Sequence, residues 1–310
     1  MFDRKEFIRC FSLLGKELKT CEGFPSDNPF FTGYMQSVAF RNIAENYLSE
    51  EALENLLGYS DGPSGDPDRF RRMMDGKTVG IIMAGNIPAV GFHDLLCTLS
   101  LGAKARVKLS SKDGGLIPRI VDMIRRISPE ICPAISFEDK SFLYEYKGNL
   151  DFLIFSGSDS NKSLLKDEFP GVPMLARGSR FSLGVLTGEE TEQDLFSLAE
   201  DMFLYFGMGC RSISYLFVPK GFDLQRIVGA SSIMEKHLSG VRPYMSNVLR
   251  QRAINKLEGA DFIDGGFFIM EPSYQPFPPL GCIRYAEYEN ISEVDDFCSF
   301  HRDEIQKKYT

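Results

Sequence analysis

The chain has 310 residues, 43% hydrophobic and 25% charged, with a formal net charge of −8. That length suffices for about two domains with separate cores, and the acidic balance argues against broad binding to nucleic acid or an anionic membrane, though not against a local basic pocket. No run approaches the roughly eighteen apolar residues of a membrane span. The start "MFDRKEFIRC" lacks a signal-peptide core, and the seven cysteines and three histidines are scattered without a CxxC. A disulfide framework and a metal site are therefore not expected, and a reducing cytoplasm is.

Residues 1 to about 75 read as mostly helical: "RKEFIRCFSLLGKEL" and "MQSVAFRNIAENYLSEEALENLLGY" space their apolar residues at helical intervals. The Gly/Pro-rich "SDGPSGDPD", 60–68, reads as a linker rather than a phosphate cradle. The rhythm then changes. "KTVGIIMAG" is a nearly continuous apolar run, as in a strand buried on both faces. The helix "GFHDLLCTLSLG", the strand "KARVKLS", the helix "LIPRIVDMIRRI", the strand "DFLIFSGS" and the helix "NKSLLKDEF" follow. Alternation of this kind predicts a parallel, doubly wound sheet, whose ligands bind at the carboxyl ends of its strands. The three strand ends read "MAGN", "KLSS" and "FSGS".

After residue 180 come the strand "FSLGVLTG", the helix "EETEQDLFSLAEDMFLYFG" with acids in its first turn, and the strand "SISYLFVP". Helices near 223–238 and 242–257, the strands "GFFIME" and "GCIRYAEY" and a charged helix close the chain. The predicted domains are 1–180, with N-terminal helices and a doubly wound α/β fold, and 181–310, carrying Cys210. That cysteine sits in "YFGMGCRSISYLFVP", at the hinge between helix and strand. The other six are expected inside helices or strands, as core or incidental residues. His93 is expected to pack or cap within its helix rather than serve as an acid–base group.

Several segments together resemble the aldehyde dehydrogenase superfamily. Gly207, Met208, Gly209 and Cys210 resemble its G-Q-x-C, "AGNIPAVG" its P-W-N-F-P, "VKLSSKD" its V-K-P-S-E, "FSGSDSNKS" its F-T-G-S, "LARGSR" its L-E-L-G-G-K, and "QPFPP" its E-x-F-G-P. "MAGNIPAVGFHDLL", "KLSSKD" and "YFGMGCRSISYLFVPKGFD" look narrower still, like the LuxC-type acyl-CoA reductases, over residues 77 to 290. The resemblance implies an aldehyde dehydrogenase-like α/β fold of two doubly wound domains with parallel-rich sheets behind an N-terminal helical segment. It also implies a homo-oligomer. Relatives carry more sequence after the last helix, so a shortened version is expected.

The same resemblance implies site residues. Cys210 becomes the nucleophile, since a thiolate both attacks and leaves well; the alternative is a buried structural cysteine. Arg211 could favour its thiolate. Asn86 becomes an oxyanion donor; the alternative is a turn residue before Pro88. Lys108, Ser110 and Ser111 fall at the adenosine ribose, Ser156, Gly157 and Ser158 near the pyrophosphate, and Gln275 and Phe277 at a ribose-contacting loop. An ordinary strand-end lysine is the alternative for Lys108. Ala176 stands where hydrolytic relatives carry the glutamate that activates water, which favours thioester exchange. Ser111 replaces the glutamate that would repel a 2′-phosphate, with Lys112 next to it on a loop, so NADPH is expected over NADH. The expected activity is NAD(P)H-dependent reduction of an acyl-CoA or acyl-protein thioester to an aldehyde, with coenzyme A as co-substrate. A cysteine-dependent acyl carrier or acyltransferase, and a silent scaffold, are the alternatives.

Overall fold

The computed structural model describes residues 3–59, 69–139 and 149–310; the expected linker at 60–68 lies outside them. The chain divides into two compact units, Met1–Gly178 and Ser179–Thr310.

The first unit opens with α1 (Arg4–Lys19), α2 (Gly33–Tyr47), α3 (Glu50–Tyr59) and α4 (Arg69–Met74). Asp3 begins α1 by accepting from the amides of Lys5 and Glu6, at 2.9 and 3.3 Å, which satisfies donors that the first turn leaves open. Then β1 (Thr78–Ile82), α5 (Phe92–Ser100), β2 (Lys104–Lys108), α6 (Leu116–Ile127), β3 (Ile135–Glu138), β4 (Phe152–Ser156), α7 (Asp159–Glu168) and β5 (Met174–Arg177) alternate. The sheet runs β3-β2-β1-β4-β5 with every pair parallel. It winds outward in both directions from β1, so the order reverses between β1 and β4.

Successive side chains of a strand point to opposite faces, and both faces here are covered. Val79 and Ile81 join the core that α1, α2, α3, α5 and α6 build around Phe11, Phe40, Leu53, Leu95 and Ile120. Ile82 joins the core on the other face with Leu153, Phe155, Leu165 and Phe169. This two-sided burial is why β1 and β4 read as continuous apolar runs.

The second unit holds β6 (Phe181–Val185), α8 (Glu192–Phe203), β7 (Ile213–Pro219), α9 (Gln225–Leu238), α10 (Arg242–Glu258), β8 (Ile263–Asp264), β9 (Ile269–Pro272), β10 (Cys282–Tyr288), α11 (Ile291–Phe300) and β11 (Ile305–Tyr309). Its sheet runs β11-β6-β7-β10-β9-β8, parallel except for β8 against β9. Phe181, Leu183, Tyr215, Phe217, Ala286 and Val294 form the core between this sheet and α11. A capping box at Thr191 and Asp194 starts α8.

Two expectations need correction. The helix expected over 189–207 stops at Phe203, because Tyr205 and Phe206 turn left-handed, with φ of 55° and 60°. The last helix is followed by a further strand, β11, and β3, β5 and β8 also go unmarked in the sequence. These four strands are the edges of the two sheets.

The central position of β1 yields the first prediction. Ile81 is fully buried, so Ile81→Ala should cost about 2–5 kcal/mol. Gln306 is exposed on β11, and Gln306→Ala should stay within about 0.5 kcal/mol. Urea denaturation followed by circular dichroism measures both; equal midpoints for the two variants would refute the assignment of β1 to the core.

Candidate functional site

Because every strand of the first sheet is parallel, the carboxyl ends of β1, β2, β4 and β5 share one edge. Asn86, Lys108, Ser110, Ser111, Ser156, Gly157 and Ser158 all belong to the ends or following loops of three of these strands. Asn86 is half-buried in the bend between β1 and α5. The loops after β1 and β2 touch: a Cβ on Gly85 would stand 2.6 Å from that of Ser110. The Ser110 hydroxyl accepts from the Lys112 amide at 3.2 Å, and the Asn28 side-chain amide donates to the Lys112 carbonyl at 2.7 Å. Ser110 thus shapes the turn that presents Ser111 and Lys112 to solvent. Lys108 is half-buried, and among the described residues its ammonium has no partner.

The loop after β4 is more heavily committed. The Gly157 amide donates to the Arg177 carbonyl at 3.1 Å. The Ser158 hydroxyl caps α7, accepting from the Asn161 amide at 3.4 Å, and lies 3.0 Å from that of Ser160. Asp159 occupies the first turn of α7, its carboxylate filling the space where a Gly178 side chain would go. The positive end of α7 is therefore already served by the chain's own groups. Ser156 instead lies 3.4 Å from Arg177 Nη1. That guanidinium is held by Asp94, near the start of α5: Nη1 donates to Asp94 Oδ1 and Oδ2 at 2.8 and 2.9 Å. This pair is not legible in the sequence. An acid in a helix's first turn and an arginine at a strand end were its only traces.

In the second unit, Cys210 lies in the turn before β7 and is the one exposed cysteine of the seven. Its carbonyl accepts from Ser182 Oγ at 2.9 Å, and the Arg211 carbonyl accepts from the Tyr309 hydroxyl at 2.9 Å. The corner is thus fastened to both β6 and β11. Gly207 continues the left-handed path of Tyr205 and Phe206, with φ of 69°. Phe206 is buried against Tyr244, ring centroids 5.3 Å apart. Beneath the corner is a cleft of about 50 Å³ lined by Phe206, Ile213, Tyr244 and Cys282 among others.

Gln275 and Phe277 lie in the loop leading into β10. Arg284 Nη1 donates to the carbonyls of Gln275 and Pro276, both at 3.1 Å. Phe277 has φ of 62°, and its ring meets Phe181 edge-on at 5.2 Å. Phe181 precedes the Ser182 that holds Cys210, so this unit brings Phe277 and Cys210 to the same end of β6.

The remaining thiols are suited to packing. Burial pushes Cys10 and Cys282 up to about 12 and Cys97 up to about 11, and a protonated thiol is a poor nucleophile. Cys21 and Cys132 depart from expectation by lying outside regular helix and strand, after α1 and in a short 3-10 turn. His93 is exposed on α5, its ring 4.6 Å from that of Tyr47 and 3.7 Å from the Cys97 sulfur. Among the described residues there is no cluster of potential metal ligands, and no helix is long and apolar enough to cross a membrane.

No protein-family model and no curated protein matches the chain. Solved structures do. A salicylaldehyde dehydrogenase from Pseudomonas putida G7, complexed with salicylaldehyde, superposes with a TM-score of 0.72 at 10% identity, covering 96% of this chain and 71% of its own. An NAD-dependent aldehyde dehydrogenase from Sinorhizobium meliloti gives 0.71 at 12%, covering 96% and 68%. An NAD-dependent benzaldehyde dehydrogenase from Corynebacterium glutamicum gives 0.70 at 11%, covering 95% and 72%. At such identities the likeness is one of fold, and the chain has the α/β, parallel-rich fold of the aldehyde dehydrogenases.

Proposed function

We propose that the chain is an NAD(P)H-dependent oxidoreductase that reduces an acyl thioester, on coenzyme A or on a carrier protein, to an aldehyde by way of a thioester on Cys210. The observation that carries this reading is the exposed Cys210 at a fastened corner, in a chain with an aldehyde dehydrogenase fold, while burial keeps Cys10, Cys97 and Cys282 protonated.

The carboxyl edge of the first sheet suits a dinucleotide in kind. It offers the free ammonium of Lys108, the exposed Ser111 and the Ser156 hydroxyl at the reversal of strand order. A bound NADPH would supply the hydride that lowers the acyl group to the aldehyde level. The chain's own part is the rest. The Cys210 thiolate attacks the thioester carbonyl, and the C–S bond to coenzyme A breaks, with the thiolate of coenzyme A leaving and taking a proton from solvent. The resemblance assigns Asn86 the role of donor to the oxygen on which charge develops, an interaction typically worth a few kcal/mol. After reduction the C–S bond to Cys210 breaks, releasing aldehyde and restoring the thiolate. Ala176, half-buried on β5 opposite Phe155, carries only a methyl group and cannot deprotonate water, and the resemblance places it where hydrolytic relatives carry their water-activating glutamate. Gln275 and Phe277 are assigned to the ribose side of the cofactor.

A second reading is favoured by Asp159, whose carboxylate stands at the start of α7 where a pyrophosphate would meet the helix. A cysteine-dependent acyl carrier or acyltransferase needs no dinucleotide and would tolerate that charge. Titration with NADPH separates the two, since only the reductase binds it.

Two outcomes test the proposal. Cys210→Ala should abolish aldehyde formation from a panel of acyl-CoAs with NADPH and remove the acyl mass adduct, with the melting temperature unchanged; aldehyde formed at the wild-type rate would exclude Cys210 as the nucleophile. Wild-type protein should bind NADPH at least as tightly as NADH, because neutral Ser111 imposes no like-charge clash on a 2′-phosphate. Ser111→Glu should turn that preference toward NADH in fluorescence titrations. NADH binding ten times tighter than NADPH in the wild type would refute the assignment.

A further inference from the structure

We propose that Arg177, oriented by Asp94, binds a phosphate oxygen of a pyrophosphate-bearing ligand at the carboxyl edge of the first sheet. The proposal rests on the reading above and gives Arg177, within "LARGSR", a role that the motif resemblance does not assign.

A guanidinium carries five N–H donors in a rigid fork. Here Nη1 spans both oxygens of Asp94 and approaches the Ser156 hydroxyl. Among the described residues neither Nη2 nor Nε has a partner. The Asp94 side chain is only 10% exposed, whereas that of Arg177 is 45% exposed. A carboxylate so deeply placed needs its cation, so the pair fixes one side of the fork and leaves the other toward solvent. The backbone fixes its location: Arg177 ends β5 and accepts the Gly157 amide, which sets the guanidinium beside the loop after β4.

The need for such a cation comes from α7. A phosphate at a helix start is ordinarily held by free amides and the helix dipole, but Ser158 caps this helix and Asp159 adds a negative charge. An anion at this edge therefore needs its charge matched elsewhere. Lys108 lies on β2, three strand spacings from β5, or about 14 Å, a span that an extended dinucleotide can bridge. Arg177 presents a planar pair of donors to phosphate, which lysine cannot. Dinucleotide and coenzyme A both carry a pyrophosphate, so either could be the source.

The test compares wild-type protein with Arg177→Met, Arg177→Lys and the double variant Asp94→Asn/Arg177→Gln, which leaves no buried charge unpaired. Each is titrated with NADPH and with coenzyme A by calorimetry, at low and at moderate salt, with thermal melting alongside. Loss of Arg177 should weaken binding about 10- to 100-fold, the scale of hydrogen bonds to charged groups, and flatten its salt dependence; Arg177→Lys should recover part of both. A loss confined to NADPH identifies the cofactor as the source, and one confined to coenzyme A identifies the thioester substrate. Unchanged affinity and salt slope in the double variant, with or without lowered stability, would overturn the role of Arg177 and leave the reductase reading standing. Wild-type protein that binds neither ligand would overturn both.

Discussion

Two parallel strands cannot be joined by a tight turn; the chain must cross back over the sheet, normally as a helix, before the next strand begins. In the first sheet every pair obeys this constraint, and the rest of the unit follows from it. The crossovers place helices on both faces, which buries Ile81 on one side and Ile82 on the other. They also leave every strand's carboxyl end at one edge. The loops carrying Asn86, Lys108, Ser110, Ser111 and Ser156–Ser158 gather there without any side chain needing to attract another.

The second unit uses its parallel sheet differently. Cys210 precedes β7 and so lies at the amino end of a strand, away from the edge where open α/β sheets usually bind ligands. A turn in that position needs fastening. It receives hydrogen bonds from Ser182 on β6 and Tyr309 on β11, and a buried anchor in Phe206. The anchor has a cost. Left-handed backbone at a non-glycine residue is unfavourable by about 1–2 kcal/mol, and Tyr205 and Phe206 both adopt it. Full burial of a phenylalanine side chain contributes a comparable amount in the other direction, so packing of Phe206 against Tyr244 can hold the strained path that aims Cys210 outward.

Polar commitments shape the candidate nucleotide edge as strongly as its motifs do. Ser110 and Ser158 spend their hydroxyls on a turn and a helix cap, and Gly157 spends its amide on β5. Among the described residues, what remains open to a ligand is the exposed Ser111 and the charge and fork geometry at Lys108 and Arg177. The guanidinium of Arg177 is oriented by Asp94, 83 residues earlier.

The amino-acid sequence by itself determined the fold class and the order of the buried elements. A strand covered on both faces must be apolar at every position, so "TVGII" and "FLIFS" announce themselves, and a helix with one buried face shows its period. It also singled out Cys210 as a candidate, because two preceding glycines, Gly207 and Gly209, and an abrupt change of periodicity need no knowledge of distant contacts. The strands "ISFE", "MLAR", "ID" and "IQKKY" stayed hidden because each lies at a sheet edge, half exposed and without a continuous apolar run. The early end of α8 stayed hidden because helix propensity and periodicity persist through Tyr205 and Phe206, and only the packing of Phe206 against Tyr244 on α10 turns the backbone. Tertiary structure alone decided which hydroxyls were already spent and which cation faced the candidate site, since a hydrogen bond between residues far apart in the chain leaves no periodic trace in the sequence.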